Sequence, residues 1–110
     1  MTELTYEFLK SLPKAELHCH LDGSMRPSSI WEMAQQYDVK LPVDSPEKLA
    51  KYLAVGDKCK SLEEYLRGFD VTCSVLQWKD TLERATYELA EDAVEENIRY
   101  TEDARGVDLV

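Results

Sequence analysis

His18 and His20 are the two histidines of this 110-residue chain, and they stand one residue apart in ELHCHLDG, residues 16–23. On an extended strand, side chains alternate between faces, so positions i and i+2 share one. The two Cα atoms then lie about 6.6 Å apart, at about 3.3 Å per residue. From there two imidazoles can lean onto one metal ion through bonds of about 2.0–2.1 Å. Asp22 has the same parity, and Gly23 follows it as an Asp-Gly turn. Spacing alone leaves two readings of the pair open: metal ligands, or polar side chains exposed or hydrogen-bonded on a strand. Asp22 is likewise either a turn residue whose carboxylate caps nearby N–H groups, or a contact to a substrate. Glu16 shares the histidines' parity further down the strand. Cys19 is sent to the opposite face with Leu17 and Leu21, as a small buried hydrophobe.

The elements that must hold these residues are punctuated clearly. Residues 3–11 predict a short helix stopped before Pro13. AELHCHL, 15–21, predicts a strand between Pro13 and Gly23. Pro27 suits a first helical turn, and Ile30, Met33, Ala34 and Tyr37 recur at helical spacing, so a helix is expected over 27–38. Ser45-Pro46 caps another helix with Leu49, Tyr52 and Leu53 on its apolar face and Gly56 at its end. Ser61-Leu-Glu-Glu64 has the form of a capping box, leading Leu62, Tyr65, Leu66 and Phe69 along one face. Asp80-Thr-Leu-Glu83 has box-like spacing too and opens the longest helix, over 80–96. Its inner positions are Leu82, Ala85, Leu89 and Ala93, with Ala90 and Val94 beside them. IRYTE, 98–102, is a second strand. Trp31, Trp78 and the six tyrosines fall mostly at helical spacing and are expected in the core. Lys14 and Glu16 are given structural roles, and Arg26 that of a surface charge.

Strand, helices, strand is the order of a crossover unit in an α/β protein. Two parallel strands do not make a stable sheet by themselves, so the pattern reads as the beginning of something larger. With 44% apolar residues the chain can bury a modest core. Its net charge of −9 argues against nucleic acid and against an anionic membrane surface as partners. Three cysteines, Cys19, Cys59 and Cys73, show no CxxC spacing and no disulfide framework. Neither a signal peptide nor an apolar run of about 18 residues is present, so a cytoplasmic protein is expected.

LPKAELHCHLDGSMRP, residues 12–27, resembles the opening segment of the adenosine deaminase family almost continuously over sixteen positions. The likeness extends through the Leu62–Phe69 stretch, the long helix and the second strand, about residues 8–102. It implies that the chain is the N-terminal portion of a (β/α)8 barrel domain, incomplete over residues 1–110, mostly helical with one or two parallel strands. It implies a zinc hydrolase that converts adenosine or deoxyadenosine to inosine-type products and ammonia. His18 and His20 match the family's first two ligands to a single zinc ion. His20 also lies near substrate there, and Asp22 matches the carboxylate that takes the ribose 5′-hydroxyl. Zinc lowers the pKa of bound water to about 7 and so supplies hydroxide at neutral pH. The Asp-Gly turn, where adenine deaminases of the superfamily tend to carry Glu-Gly, favours the nucleoside.

The resemblance also marks what does not appear. The family's third histidine ligand, aspartate ligand, general-acid glutamate and hydroxide-orienting histidine come later in its sequence, so no catalytic residue is assigned here. The chain by itself is expected to be inactive without the remaining barrel portion. After Glu102 the sequence leaves the family's pattern, as a truncated or frameshifted end would. Two other readings stand beside this one. The first is a non-catalytic remnant acting through self-association at exposed strand edges. The second is another His-x-His barrel hydrolase, of adenine deaminase or phosphoesterase type.

Overall fold

Pro13 and Gly23 bracket the first strand as predicted. In the computed structural model of the protein, which describes residues 3–54 and 60–104, β1 spans Lys14–His20 and β2 spans Ile98–Ala104. They pair in parallel as a two-stranded sheet. A short helix α1, Tyr6–Ser11, precedes β1. Four more lie between the strands: α2 (Pro27–Gln36), α3 (Pro46–Leu53), α4 (Leu62–Val75) and α5 (Lys79–Glu95). The chain is therefore mostly helical around one parallel pair. No helix among the described residues is long and apolar enough to cross a membrane.

Local chemistry explains most of the boundaries. Thr5 caps α1 by accepting from the Phe8 N–H, and Ser45 and Ser61 do the same for Lys48 and Glu64. The Lys14 ammonium donates to the carbonyls of Leu9, Lys10 and Leu12, so it closes the C-terminal end of α1. That gives Lys14 the structural role expected of it. Asn97, at φ 58°, turns the chain out of α5. Its side-chain amide donates to the Ser11 carbonyl, and its own carbonyl accepts from the Lys14 N–H. The starts of β1 and β2 are thus pinned together.

Two adjoining cores sit on the helical side of the molecule. Ile30, Met33, Ala34, Leu49, Val71 and Val75 fill the space between α2, α3 and α4. Leu21, Leu76 and Ala85 form a second cluster beneath the turn after β1, and Met25 packs against both. Full burial of each large aliphatic is worth about 1.5–3 kcal/mol, so these contacts dominate the local stability.

Three expectations need correction. α5 begins at Lys79 with Trp78 as N-cap and no side-chain cap, so Asp80 does not cap it. At the start of α4 the Ser61 hydroxyl accepts from the Glu64 N–H, as the capping-box spacing predicts, and the Glu64 carboxylate accepts from the Lys60 N–H. Tyr6, Tyr52, Tyr65, Tyr87 and Tyr100 are exposed rather than core, as are Leu62, Leu66 and Val94. Pure alternation along β1 also fails. One extra residue enters β2 after Lys14↔Ile98, and one enters β1 between Glu16 and Cys19, so that the two shifts cancel at Cys19↔Asp103. Gly56, Cys59 and the tail from Arg105 lie outside the described residues.

Candidate functional site

His20 is the last residue of β1, and the turn that follows carries Asp22. The β1 irregularity between Glu16 and Cys19 takes in His18, yet the two imidazoles still converge. Their Nε2 atoms are 2.8 Å apart, with ring centroids at 4.7 Å and planes at 70°. At 2.8 Å one ring donates to the other. Two nitrogen ligands on a tetrahedral zinc at about 2.0–2.1 Å stand about 3.3–3.4 Å apart. A separation of the rings by roughly half an ångström would exchange the shared proton for a shared cation. Both rings remain open to solvent, His20 with 45% of its side chain exposed.

Asp22 behaves differently. The residue is 5% exposed, and its Oδ1 is buried with no hydrogen-bond donor. The nearest cationic candidate is the His20 Nδ1 at 3.7 Å, beyond hydrogen-bond reach. Its Oδ2 receives only the Cys73 thiol at 3.8 Å. The turn itself is closed by backbone bonds, Gly23 N–H to the His20 carbonyl and Ser24 N–H to the Leu21 carbonyl. The Ser24 hydroxyl adds a bond to the His20 carbonyl. Local capping therefore does not explain the Asp22 carboxylate. A buried acceptor without a donor costs about 1–3 kcal/mol, and such a group calls for a reason.

The reason lies on its open side. Asp22 and Gly23 line a cleft of about 340 Å³ with residues of α2, α3 and α4, among them Ile30, Leu53, Tyr65 and Phe69. That volume falls in the range of small-ligand pockets. Its walls are mostly apolar, and among the described residues no lysine or arginine lines it. Phe69 closes on the turn so tightly that a Cβ on Gly23 would meet its ring at 3.3 Å. The site thus joins a pair of imidazoles, a buried carboxylate and an apolar cleft, all at the C-terminal end of a parallel strand. In barrel folds that end carries the chemistry.

As a metal site the arrangement fits in part. The two imidazoles suit zinc, and their orientation suits sharing one ion. Among the described residues no group of three histidine, cysteine or carboxylate side chains gathers to complete a coordination set. Cys19 is half-buried, with its sulfur 3.2 Å from the Ser24 hydroxyl, and Glu16 is exposed on the strand. Neither joins the histidines.

Arg26, expected as a surface charge, turns out to anchor the far end of the turn. Its guanidinium donates to Asp92 at 2.7 Å and also reaches Glu88 and Glu91 on α5. The buried Ser29 hydroxyl donates to Glu88 at 2.9 Å, and Arg84 bridges Glu88 and Glu32. The hydrogen bond to Asp92 leads the causes that raise the Arg26 pKa, which leaves its charge secure. These partners lie more than sixty residues downstream, which no local pattern signals.

The chain is similar to known proteins over most of its length. The sequence model of the adenosine deaminase family matches residues 13–104. An adenosine deaminase of Vibrio atlanticus is 46% identical over 92 residues, which are 84% of this chain and 27% of that one. Among solved structures, an adenine deaminase from Arthrobacter aurescens superposes with a TM-score of 0.74 at 26% identity, over 84% of this chain and 27% of its own. A zinc-bound amidohydrolase from Burkholderia ambifaria gives 0.73 at 31% identity, over 93% of this chain and 28% of its own. The chain therefore spans about a quarter of the length of the relatives it matches.

Proposed function

The chain belongs to the adenosine deaminase family, a metal-dependent enzyme family of barrel fold whose N-terminal part it matches, and from that premise we propose that it carries the first-strand half-site of a zinc-dependent purine nucleoside aminohydrolase. His18 and His20 would hold one zinc ion, and Asp22 would take a sugar hydroxyl of adenosine or deoxyadenosine. The observation that carries this reading is the convergence of the two Nε2 atoms beside a buried carboxylate whose Oδ1 lacks a donor. When bound, zinc supplies activation of water for hydrolysis at neutral pH.

What this chain's own residues do follows from the cleft. Asp22 Oδ1 needs a hydrogen-bond donor, and a hydroxyl provides one while remaining neutral. A 5′-phosphate in its place would set a second negative charge beside a buried carboxylate, and among the described residues no lysine or arginine lines the cleft to offset it. A free base would leave Oδ1 without the sugar hydroxyl this reading assigns to it. The nucleoside is thus favoured over both the nucleotide and adenine. Phe69 and Leu53 keep water from the apolar wall. Turnover needs a third protein ligand and an acid to protonate the purine ring. The sequence has two histidines only, so the chain alone does not turn over adenosine.

Ligand-observed NMR titration of the 110-residue chain with adenosine, adenosine 5′-monophosphate and adenine tests the reading. Adenosine should bind most tightly, the Asp22→Ala variant should lose that preference, and no inosine should accumulate in the samples. Equal or tighter binding of the monophosphate, or steady inosine formation, would overturn it.

A further inference from the structure

Gly68 is the seventh residue of the fourteen in α4. Glycine in the middle of a helix is unfavourable relative to alanine, because it gives up more backbone freedom on folding. Such a residue is normally retained for a positive φ or for a close approach of another element. Neither applies here. No described glycine has a positive φ. Among the described residues, a Cβ built at Gly68 would meet a single neighbour within 4 Å, the Leu53 Cδ2 at 3.5 Å, which is ordinary contact. Backbone strain and crowding leave the glycine unexplained.

Its position in the cleft does not. Gly68 lines the same cleft as Asp22, and two other small residues, Ala50 and Ala54, line it from α3 and its C-cap. Small residues on one wall would mean little alone. The wall shares its space, however, with a carboxylate oxygen that is buried, unpartnered and awaiting a donor. We propose that Gly68 is a specificity-determining residue. It keeps the wall between α3 and α4 open for the apolar body of a neutral ligand whose hydroxyl donates to Asp22 Oδ1. This inference rests on reading the cleft as the substrate half-site. It adds that helix stability is given up there to preserve room, and that the size of residue 68 sets which hydroxyl ligands enter.

Two substitutions in the full chain test this, Gly68→Ala and Gly68→Leu. Melting temperatures are recorded for both, with NMR titrations against adenosine and against benzyl alcohol, a neutral hydroxyl on an apolar body. Gly68→Ala should melt higher by about 4–8 °C, as an alanine does when a helix had no need of glycine. Gly68→Leu should weaken both probes at least tenfold. A lower melting point for Gly68→Ala would show that packing demands the glycine and would overturn the assignment. So would unchanged benzyl alcohol binding in Gly68→Leu, or a wild-type chain that binds neither probe. Binding of benzyl alcohol but not adenosine, lost in Gly68→Leu, would uphold the role of Gly68 and overturn the nucleoside reading instead.

Discussion

Replacing Asp22 by alanine separates a residue kept for the fold from one kept for a ligand. Most buried substitutions destabilise by about 0.5–3 kcal/mol. Here the carboxylate has one orphaned oxygen and one weak thiol contact, and the turn closes through backbone bonds without it. Removing it should leave stability unchanged or raise it by up to about 1–3 kcal/mol, the cost of the unsatisfied acceptor. Urea denaturation of the two chains measures this. A loss beyond about 1 kcal/mol would mean that the carboxylate supports the turn after all. At this scale the sequence was informative in a specific way. Parity placed His18 and His20 on one side, and the two rings do meet although the β1 irregularity takes in His18. It could not say whether Asp22 capped its own turn, since that depends on how the chain buries the side chain.

Between elements, the contact of the α2 C-terminus with the start of α5 is set by side chains that local pattern misreads. Tyr37 stacks on Trp78, with centroids 3.9 Å apart, and its hydroxyl donates to Asp80, which also accepts from Gln36. Asp80, with the spacing of a capping residue, is thereby drawn to a different helix. The Tyr37 hydrogen bond holds the Asp80 carboxyl below its ordinary value, and the same bond leads the causes that raise the Tyr37 phenol. A depressed carboxyl contributes stability above its unfolded pKa and loses it as pH falls through the folded value. A raised phenol contributes below its unfolded pKa and loses it as pH rises through the folded one. The bond should therefore contribute evenly between about pH 5 and 9, fade below about pH 4, and fade again above about pH 10. Melting curves of wild type and Tyr37→Phe across pH should show a constant gap in the middle that narrows at both ends. A gap that changes between pH 5 and 9 would reject this pairing. Capping serines, prolines at first turns and, to within one residue, the start of β1 were legible because they act within a few residues. The Arg26–Asp92 and Ser29–Glu88 contacts were not, because each joins positions some sixty residues apart.

For the molecule as a whole, the order of elements and the parallel pairing were legible, since a crossover between two short strands admits few arrangements. What escaped was which apolar faces are covered. Periodicity tells which residues share a helix face, but not what packs on it. Leu62 and Val94 were placed on inner helix faces on that ground and Tyr87 was expected in the core, yet they are 71%, 76% and 68% exposed. Leu17 on β1 and Tyr100 on β2 are exposed as well, so the sheet contributes little to the core and the helices contribute most. The candidate site sits where these two regions meet. Its imidazoles stand on the uncovered sheet and its carboxylate in the helical interior, and a ligand bound there would contact both.

Zinc titration of the chain, followed through the ring protons of His18 and His20 by NMR, tests the central claim most directly. One ion should bind, both rings should shift together, and either His18→Ala or His20→Ala should abolish the effect. Zinc binding that survives loss of one imidazole, or rings that stay unshifted at millimolar zinc, would contradict it.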